Sequence, residues 1–142
     1  MMKLIGVSEA QELILSNTIE LPSVDSSLEE SYGHVIREAF FADRNFPPFH
    51  RVCMDGIAIS FVSWEKGCRK FAVQDFQGAG EAPKELYNKE SCIEVMTGAV
   101  LPKGCDCVIR FEDLSIENSK ASLVEGLELK EMQHVHKQGI DY

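Results

Sequence analysis

Hydrophobic positions between residues 91 and 113 (SCIEVMTGAVLPKGCDCVIRFED) alternate, break and alternate again. Ile93 and Val95 interleave with Cys92, Glu94 and Met96, the period-2 spacing of a strand with one face more apolar than the other. Thr97-Gly98 ends that run. Leu101-Pro102-Lys103-Gly104 places Pro second and Gly fourth, which suits a type I turn, and Val108 and Ile109 open a second β run. The layout reads as a β-hairpin with a polar turn. It equally reads as a hydroxyl, Thr97, set beside a glycine at the mouth of a sheet, where backbone N–H groups can approach an anion.

The rest of the chain sorts into short elements. Residues 8–16 predict a helix: Ser8 and Gln11 fit a capping box, and Ala10, Leu13 and Ile14 share a face. Residues 18–24 read as extended around Pro22. Ser26 and Glu29 repeat the capping-box pattern, and helical spacing runs on through Val35, Ile36 and Ala39. Gly33 interrupts it, at a cost of about 1 kcal/mol relative to Ala in a helix interior. The prediction is a short helix ending at Gly33, then an extended stretch over 34–42. Phe46-Pro47-Pro48-Phe49 is rigid and extended, since each Pro fixes its own φ and restrains its predecessor. Beyond it, strands are predicted at 56–62 and 71–75, a glycine-rich bend at 76–80, a polar connection at 81–90, and strands at 114–117 and 121–129 around an Asn118-Ser119 turn. Residues 131–142 are polar and read as loosely held.

Strands outnumber helices after Pro48, and the predicted helices lie in the N-terminal third. This is an α+β pattern with a mostly antiparallel β domain. Three segments follow: 1–45, an N-terminal helix and extended linker; 46–117, the β-rich domain; and 118–142, its end and the return toward the first segment. A β unit of about 70 residues is marginal alone on surface-to-volume grounds.

Composition narrows the function. At 142 residues the chain is one domain, or one plus a piece of another. A net charge of −9 makes nucleic acid a poor partner, because a phosphate backbone wants a basic stripe. No apolar run approaches the ~20 residues of a membrane span, and the N-terminus does not read as a secretory signal. The five cysteines include no Cys-x-x-Cys pair, so reduced thiols in a cytoplasmic protein are expected, with Cys92 a small core residue. Cys105 and Cys107, two apart on a predicted strand, should point the same way.

Among candidate chemical groups, Met54-Asp55-Gly56 follows the Pro-Pro segment and precedes a strand. Asp55 is a common turn former by type. Yet Asp55-Gly56 and Thr97-Gly98 each set a polar residue before a glycine at the end of a β run, and together they could hold a metal ion or an oxyanion. His50 and Arg51 add positive charge beside Asp55. His134 and His136 form a His-x-His pair with no third ligand nearby in sequence. Trp64 reads as packing at a strand end. No Ser-His-Asp order, P-loop or dinucleotide fingerprint occurs.

The segment PPFHRVCMDGIAI resembles the Pro-Pro-Phe-Asp-Asn-Ser-Ala-Met-Asp-Gly-Tyr-Ala motif of the MoeA and gephyrin-E family, the molybdopterin molybdenumtransferases. VMTGAVLPKGCDCVIRFED is similar to that family's Met-Thr-Gly-Ala-Pro-Leu-Pro-Glu-Gly-Ala-Asp-Ala-Val-Val with its following Glu-Asp. SYGHVI matches an upstream Leu-Gly-Arg-Val-Leu element, Phe76-Gln77-Gly78 the Ala-Gly bend, and Gly139-Ile140-Asp141 a Gly-Glu-Asp element with Ile in place of Glu. The likeness runs from about Ser8 onward and covers only the family's N-terminal part, without the MogA-like domain.

The resemblance implies a magnesium-dependent insertion of molybdenum, from molybdate, into adenylylated molybdopterin. It implies a homodimer with the active cleft between the β domain of one subunit and the MogA-like domain of another. It carries the family's cleft-lining Asp and Thr onto Asp55 and Thr97 as catalytic residues, with Asp55 as a ligand for Mg²⁺ or molybdate. Gly56, Gly98 and Arg51 become substrate-binding candidates, and the 142-residue chain is expected to be inactive alone. His50, Arg51, Val52 and Cys53 stand where the family pattern has Asp, Asn, Ser and Ala. That departure keeps open a degenerate, non-catalytic module for binding or dimerisation.

Overall fold

The structure is a computed structural model that describes residues 4–141, and it falls into two compact units, Met1–Phe40 and Phe41–Tyr142.

In the first unit, α1 (Val7–Ser16) forms where the periodicity predicts, but the expected capping box does not: the N-cap is Gly6, with no side-chain bond. The helix is finished at its other end. Asn17 Nδ2 and Ser16 Oγ donate to the Leu13 carbonyl at 2.8 and 3.1 Å, and Thr18 Oγ1 donates to that of Leu15 at 2.8 Å, satisfying carbonyls the last turn leaves open. The predicted second helix is absent; only turns stand there, at 28–30 and 32–33. Ser31 Oγ donates to the Leu28 carbonyl at 2.7 Å and Ser27 Oγ to the Glu30 carboxylate at 3.2 Å, so local side-chain bonds compete with helix propagation. Gly33, at φ +83°, then turns the chain out of helical conformation.

The second unit holds β1 (Arg51–Val52), β2 (Gly56–Ile59), α2 (Phe61–Glu65), β3 (Lys70–Gln77), β4 (Ser91–Val95), β5 (Cys107–Arg110), a 3₁₀ turn (Phe111–Asp113), β6 (Leu114–Glu117), β7 (Lys120–Leu123) and β8 (Val135–His136). Six of these strands form one mixed sheet in the order β5-β2-β4-β3-β7-β6, parallel only between β3 and β4, and β1 pairs antiparallel with β8. The mostly antiparallel α+β expectation holds. The hairpin expectation for 91–110 does not. β2 lies between β4 and β5 and pairs antiparallel with both, so the link from β4 to β5 crosses over β2. Its turn is also displaced by one residue: Cys105 N–H donates to the Pro102 carbonyl at 3.1 Å, and Gly104 takes the third position at φ +83°, the left-handed value a type II turn needs.

A sheet packed on both faces replaces the expected one-sided strand. On one side Val52, Ala58, Ile93, Val95, Val108 and Cys105 form a buried cluster. On the other lie Ile57, Ile59, Phe71, Cys92, Cys107 and Ile109. Cys105 and Cys107 therefore serve opposite clusters, since Cys105 belongs to the turn before β5. Burial pushes the thiols of Cys92, Cys105 and Cys107 up to about 12, so they stay protonated at neutral pH.

Three further expectations change. The strand predicted over 56–62 stops at Ile59; Phe61–Glu65 is helical, its first N–H bonded to the Asp106 carboxylate, so helices are not confined to the N-terminal third. Trp64 sits on this helix, stacked on Phe61 at 5.4 Å with the Arg69 guanidinium over it at 4.8 Å. The strand predicted over 121–129 ends at Leu123, while the Asn118-Ser119 turn forms with both residues left-handed (φ 49° and 59°), which matches the strand twist. Residues 131–141 are tied down, by β8 against β1 and by Gly139 and Asp141 N–H donating to the Pro47 and Phe46 carbonyls at 3.1 and 2.9 Å. Those bonds shape 46–49 into a bend rather than an extended rod; its Phe46–Pro47 peptide is cis.

Candidate functional site

The loop between β1 and β2 carries Asp55, and the turn after β4 carries Thr97. Register explains their meeting. β2 and β4 run antiparallel with Gly56 opposite Val95, which brings the residue before β2 alongside the residues just past β4. The loop is fixed by Cys53 N–H to the His134 carbonyl (2.9 Å) and by Phe111 N–H to the Asp55 carbonyl (3.2 Å). Asp55 Oδ1 then accepts two bonds, from the Thr97 N–H and the Thr97 hydroxyl, each 2.7 Å, across 42 residues of sequence. These bonds, the backbone one first, hold the Asp55 carboxyl below the usual carboxylate range although the group is exposed.

The same bonds change what the turn can bind. Thr97 N–H and hydroxyl are both spent on Asp55. Gly98 N–H donates to the Val52 carbonyl at 2.9 Å, and Ala99 N–H to that of Met96 at 3.0 Å. An oxyanion cradle built from Thr97 and the Gly98 backbone is therefore not what the turn presents. It presents acceptors: Asp55 Oδ2, unengaged among the described residues, and the lone pairs of the Thr97 hydroxyl. Acceptors recognise a cation or a hydrogen-bond donor. Mg²⁺, bound through one or two carboxylates completed by water and substrate phosphates, fits such an edge as one part of its shell. Among the described residues no group of three His, Cys, Asp or Glu side chains is placed to hold a metal by itself.

The remaining candidates divide. Gly56 is fully explained by packing: an ideal Cβ there would lie 1.9 Å from the Ile109 carbonyl oxygen of β5. Gly98 is required by its φ of +89°, while a Cβ would meet nothing nearer than Ala79 Cβ at 3.7 Å. Arg51 is exposed on β1 opposite His136 and enters no ion pair among the described residues. His50 is committed, its Nδ1 accepting the Gln138 N–H at 3.0 Å. His136 is engaged with Asp141 at 2.6 Å and His134 adjoins the Gln133 amide at 3.5 Å, so the two histidines serve different neighbours. The pattern gave no sign of Gln138 and Asp141 closing on 46–51, nor of the loop 78–81 lying against Gly98.

Thr97→Val tests the clamp. It removes the hydroxyl donor and keeps the N–H. Asp55 is depressed in the folded chain, so its ionised form stabilises the fold above the unfolded carboxylate range, and that contribution is lost as pH falls through the folded value. The variant is expected to titrate Asp55 at higher pH than wild type yet still below the usual range, read by NMR of the carboxyl carbon, with stability at neutral pH little changed. An unmoved titration would show that the hydroxyl bond is not formed in solution.

A sequence model of the MoeA N-terminal region (domain I and II) matches residues 5–142. The chain belongs to that family. Its MoeA relatives include the molybdopterin molybdenumtransferase of Synechocystis sp., 33% identical over 97% of this chain and 35% of the relative. The protein of the same name from Staphylococcus epidermidis is 31% identical over 95% of this chain and 33% of its own length. Two crystal structures of the molybdopterin biosynthesis MoeA protein of Pyrococcus horikoshii superpose with TM-scores of 0.65 and 0.69, at 29% and 28% identity, each over 98% of this chain and covering 36% and 38% of theirs. The MoeA N-terminal fold is thus shared, and the chain spans about a third of the curated relatives it matches.

Proposed function

We propose that this MoeA-family chain is the substrate-facing N-terminal part of an enzyme of molybdenum cofactor biosynthesis, one that inserts molybdenum from molybdate into adenylylated molybdopterin. The observation that carries the reading is the Asp55–Thr97 clamp. The two stretches that most resemble the family's motifs are far apart in sequence and join through two 2.7 Å bonds at an exposed sheet end. Asp55 offers an ionised oxygen at fixed orientation. Thr97 holds the other oxygen and keeps the carboxylate from rotating. A bound Mg²⁺ would supply positive charge against substrate phosphates. Arg51, exposed on the adjoining strand, adds a charge that favours an anionic substrate.

The clamp is one wall. The partners in this reading are a MogA-like domain that completes the cleft and a second copy of the complete protein, in the cytoplasm. Among the described residues no helix is long and apolar enough to cross a membrane. A second reading, a non-catalytic module for binding or dimerisation, draws on the altered loop 50–53, where His50 is taken up by Gln138 instead of facing a ligand.

The test compares the complete protein with the 142-residue chain. Molybdate-dependent release of AMP from adenylylated molybdopterin is expected from the first and not from the second, because positioning both reactants supplies roughly 7–11 kcal/mol of the barrier reduction and one wall cannot do it. The chain's charge of −9 also opposes a multiply anionic pterin at long range. No AMP release by the complete protein would favour the binding module; turnover by the chain alone would show that a whole site lies within it.

A further inference from the structure

Gln77, the last residue of β3, is completely buried. A buried amide is costly unless its polar atoms are bonded, and an apolar side chain would pack in such a strand at no such cost. All its side-chain bonds go to one place. Oε1 accepts the Lys84 N–H at 2.7 Å, and Nε2 donates to the Ala82 and Glu81 carbonyls at 3.2 and 3.4 Å. None reaches another strand. The amide therefore does the work of the three missing rungs of a loop, fixing 78–84 as it leaves the sheet. Three other bonds close that loop: Gly78 N–H to the Glu81 carboxylate (3.1 Å), Glu81 N–H to the Gly78 carbonyl (3.4 Å) and Lys84 Nζ to Asp75 Oδ1 (2.7 Å).

The loop it fixes adjoins the clamp turn. The Gln77 carbonyl accepts the N–H of Met96, the residue before Thr97, at 3.3 Å. Ala79 stands 3.7 Å from where a Cβ on Gly98 would be. The clamp turn is thus tied to β3 through the Gln77 carbonyl and adjoined at Gly98 by the loop that the Gln77 amide holds.

We infer that Gln77 is a positioning residue, whose buried amide braces the 78–84 loop against the Thr97-Gly98 turn and so keeps the Asp55 acceptor face preorganised for its ligand. The functional half of this inference rests on the proposed molybdenum insertion; the structural half does not. Bracing of this kind matters because a site whose support is loose loses geometry before it loses stability.

Two variants test it on the chain as it stands. Gln77→Met fills the volume and makes none of the bonds. With the amides of Ile57 and Ile93 still protected, the Lys84 amide is expected to exchange about tenfold faster or more, as local opening replaces a closed loop. The Thr97 amide resonance should shift, and Asp55 should titrate at higher pH. Gln77→Glu restores both bond types when its carboxyl is protonated and breaks the donor bonds when ionised. Its Lys84 and Thr97 resonances should be native-like at acid pH and depart together as that carboxyl titrates. This second variant decides the matter if the first does not fold.

Lys84 exchange, Thr97 shift and Asp55 titration unchanged in folded Gln77→Met, or resonances in Gln77→Glu that ignore its carboxyl, would overturn the inference. In the complete protein, Gln77→Met should lower kcat more than it raises KM, and Gln77→Glu should regain kcat toward acid pH. A complete protein with no activity at all would remove the reaction and leave the brace intact. Loss of activity without any change at Thr97 or Asp55 would do the reverse.

Discussion

Gly56→Ala is expected to abolish the fold at ambient temperature. A methyl at this position would lie 1.9 Å from the Ile109 carbonyl oxygen, with the Ile109 carbonyl carbon and Arg110 Cα at 2.8 and 2.9 Å. All three obstacles are backbone atoms of β5, so no side chain can swing away. Relief requires β2 and β5 to separate. They are paired from Gly56↔Arg110 to Ile59↔Cys107, and their residues supply both buried clusters. Overpacking a core costs about 1–3 kcal/mol when side chains can adjust; a clash with the backbone of a neighbouring strand exceeds that, against a domain stability of roughly 5–15 kcal/mol. Gly98→Ala is the control: it has space and pays only for its left-handed φ, about 1–2 kcal/mol. Thermal unfolding of the two variants should rank them in that order, and a Gly56→Ala chain that melts like wild type would mean that β2 and β5 do not approach as described.

Asp55→Asn, one residue away, is expected to do the opposite: leave the fold intact and remove the activity of the complete protein. The Asn oxygen can still accept both Thr97 bonds, so the clamp closes. The outward atom changes from an ionised acceptor to an NH₂ donor, which repels a cation where the carboxylate attracts one. Loss of AMP release by at least about 100-fold is expected, the scale on which a single preorganised electrostatic contact counts in an enzyme site. The Thr97 amide resonance should stay near its native position. Insertion near the wild-type rate would end the assignment of Asp55 to the reaction. The two neighbours thus separate cleanly, one answering to the sheet and the other to the ligand.

How much of this was legible in the sequence depended on the range of the interaction. The Asp55–Thr97 meeting could be anticipated because both residues precede a glycine at the end of a β run, and local punctuation survives folding. What the turn offers a ligand could not, because it is decided by remote acceptors: the Val52 carbonyl takes the Gly98 N–H. The hairpin reading failed for a related reason. Nothing in 91–110 reports that Gly56–Ile59 inserts between the two strands; that follows only from its pairing with both β4 and β5. α2 was missed because Phe61-Val62-Ser63-Trp64 is apolar enough to continue a strand, while its helical start is set by Asp106, 45 residues on. The segment 131–141 looked loose because it is polar, yet most of its ties are backbone bonds that composition does not reveal.

Those ties have a mechanical consequence. Phe46 and Asp141, bonded at 2.9 Å, form the outermost rung of a stem of paired backbone, and β1 against β8 continues the pairing inward. Tension pulling these two points apart would load the rungs one after another, as in opening a zipper, instead of shearing them together. Asp141–Phe46 would yield first, then Gly139–Pro47, then Gln138–His50, before any force reached the six-stranded sheet. The paired stem is a fuse: it gives way under strain in small steps and shields the Asp55–Thr97 clamp from the load.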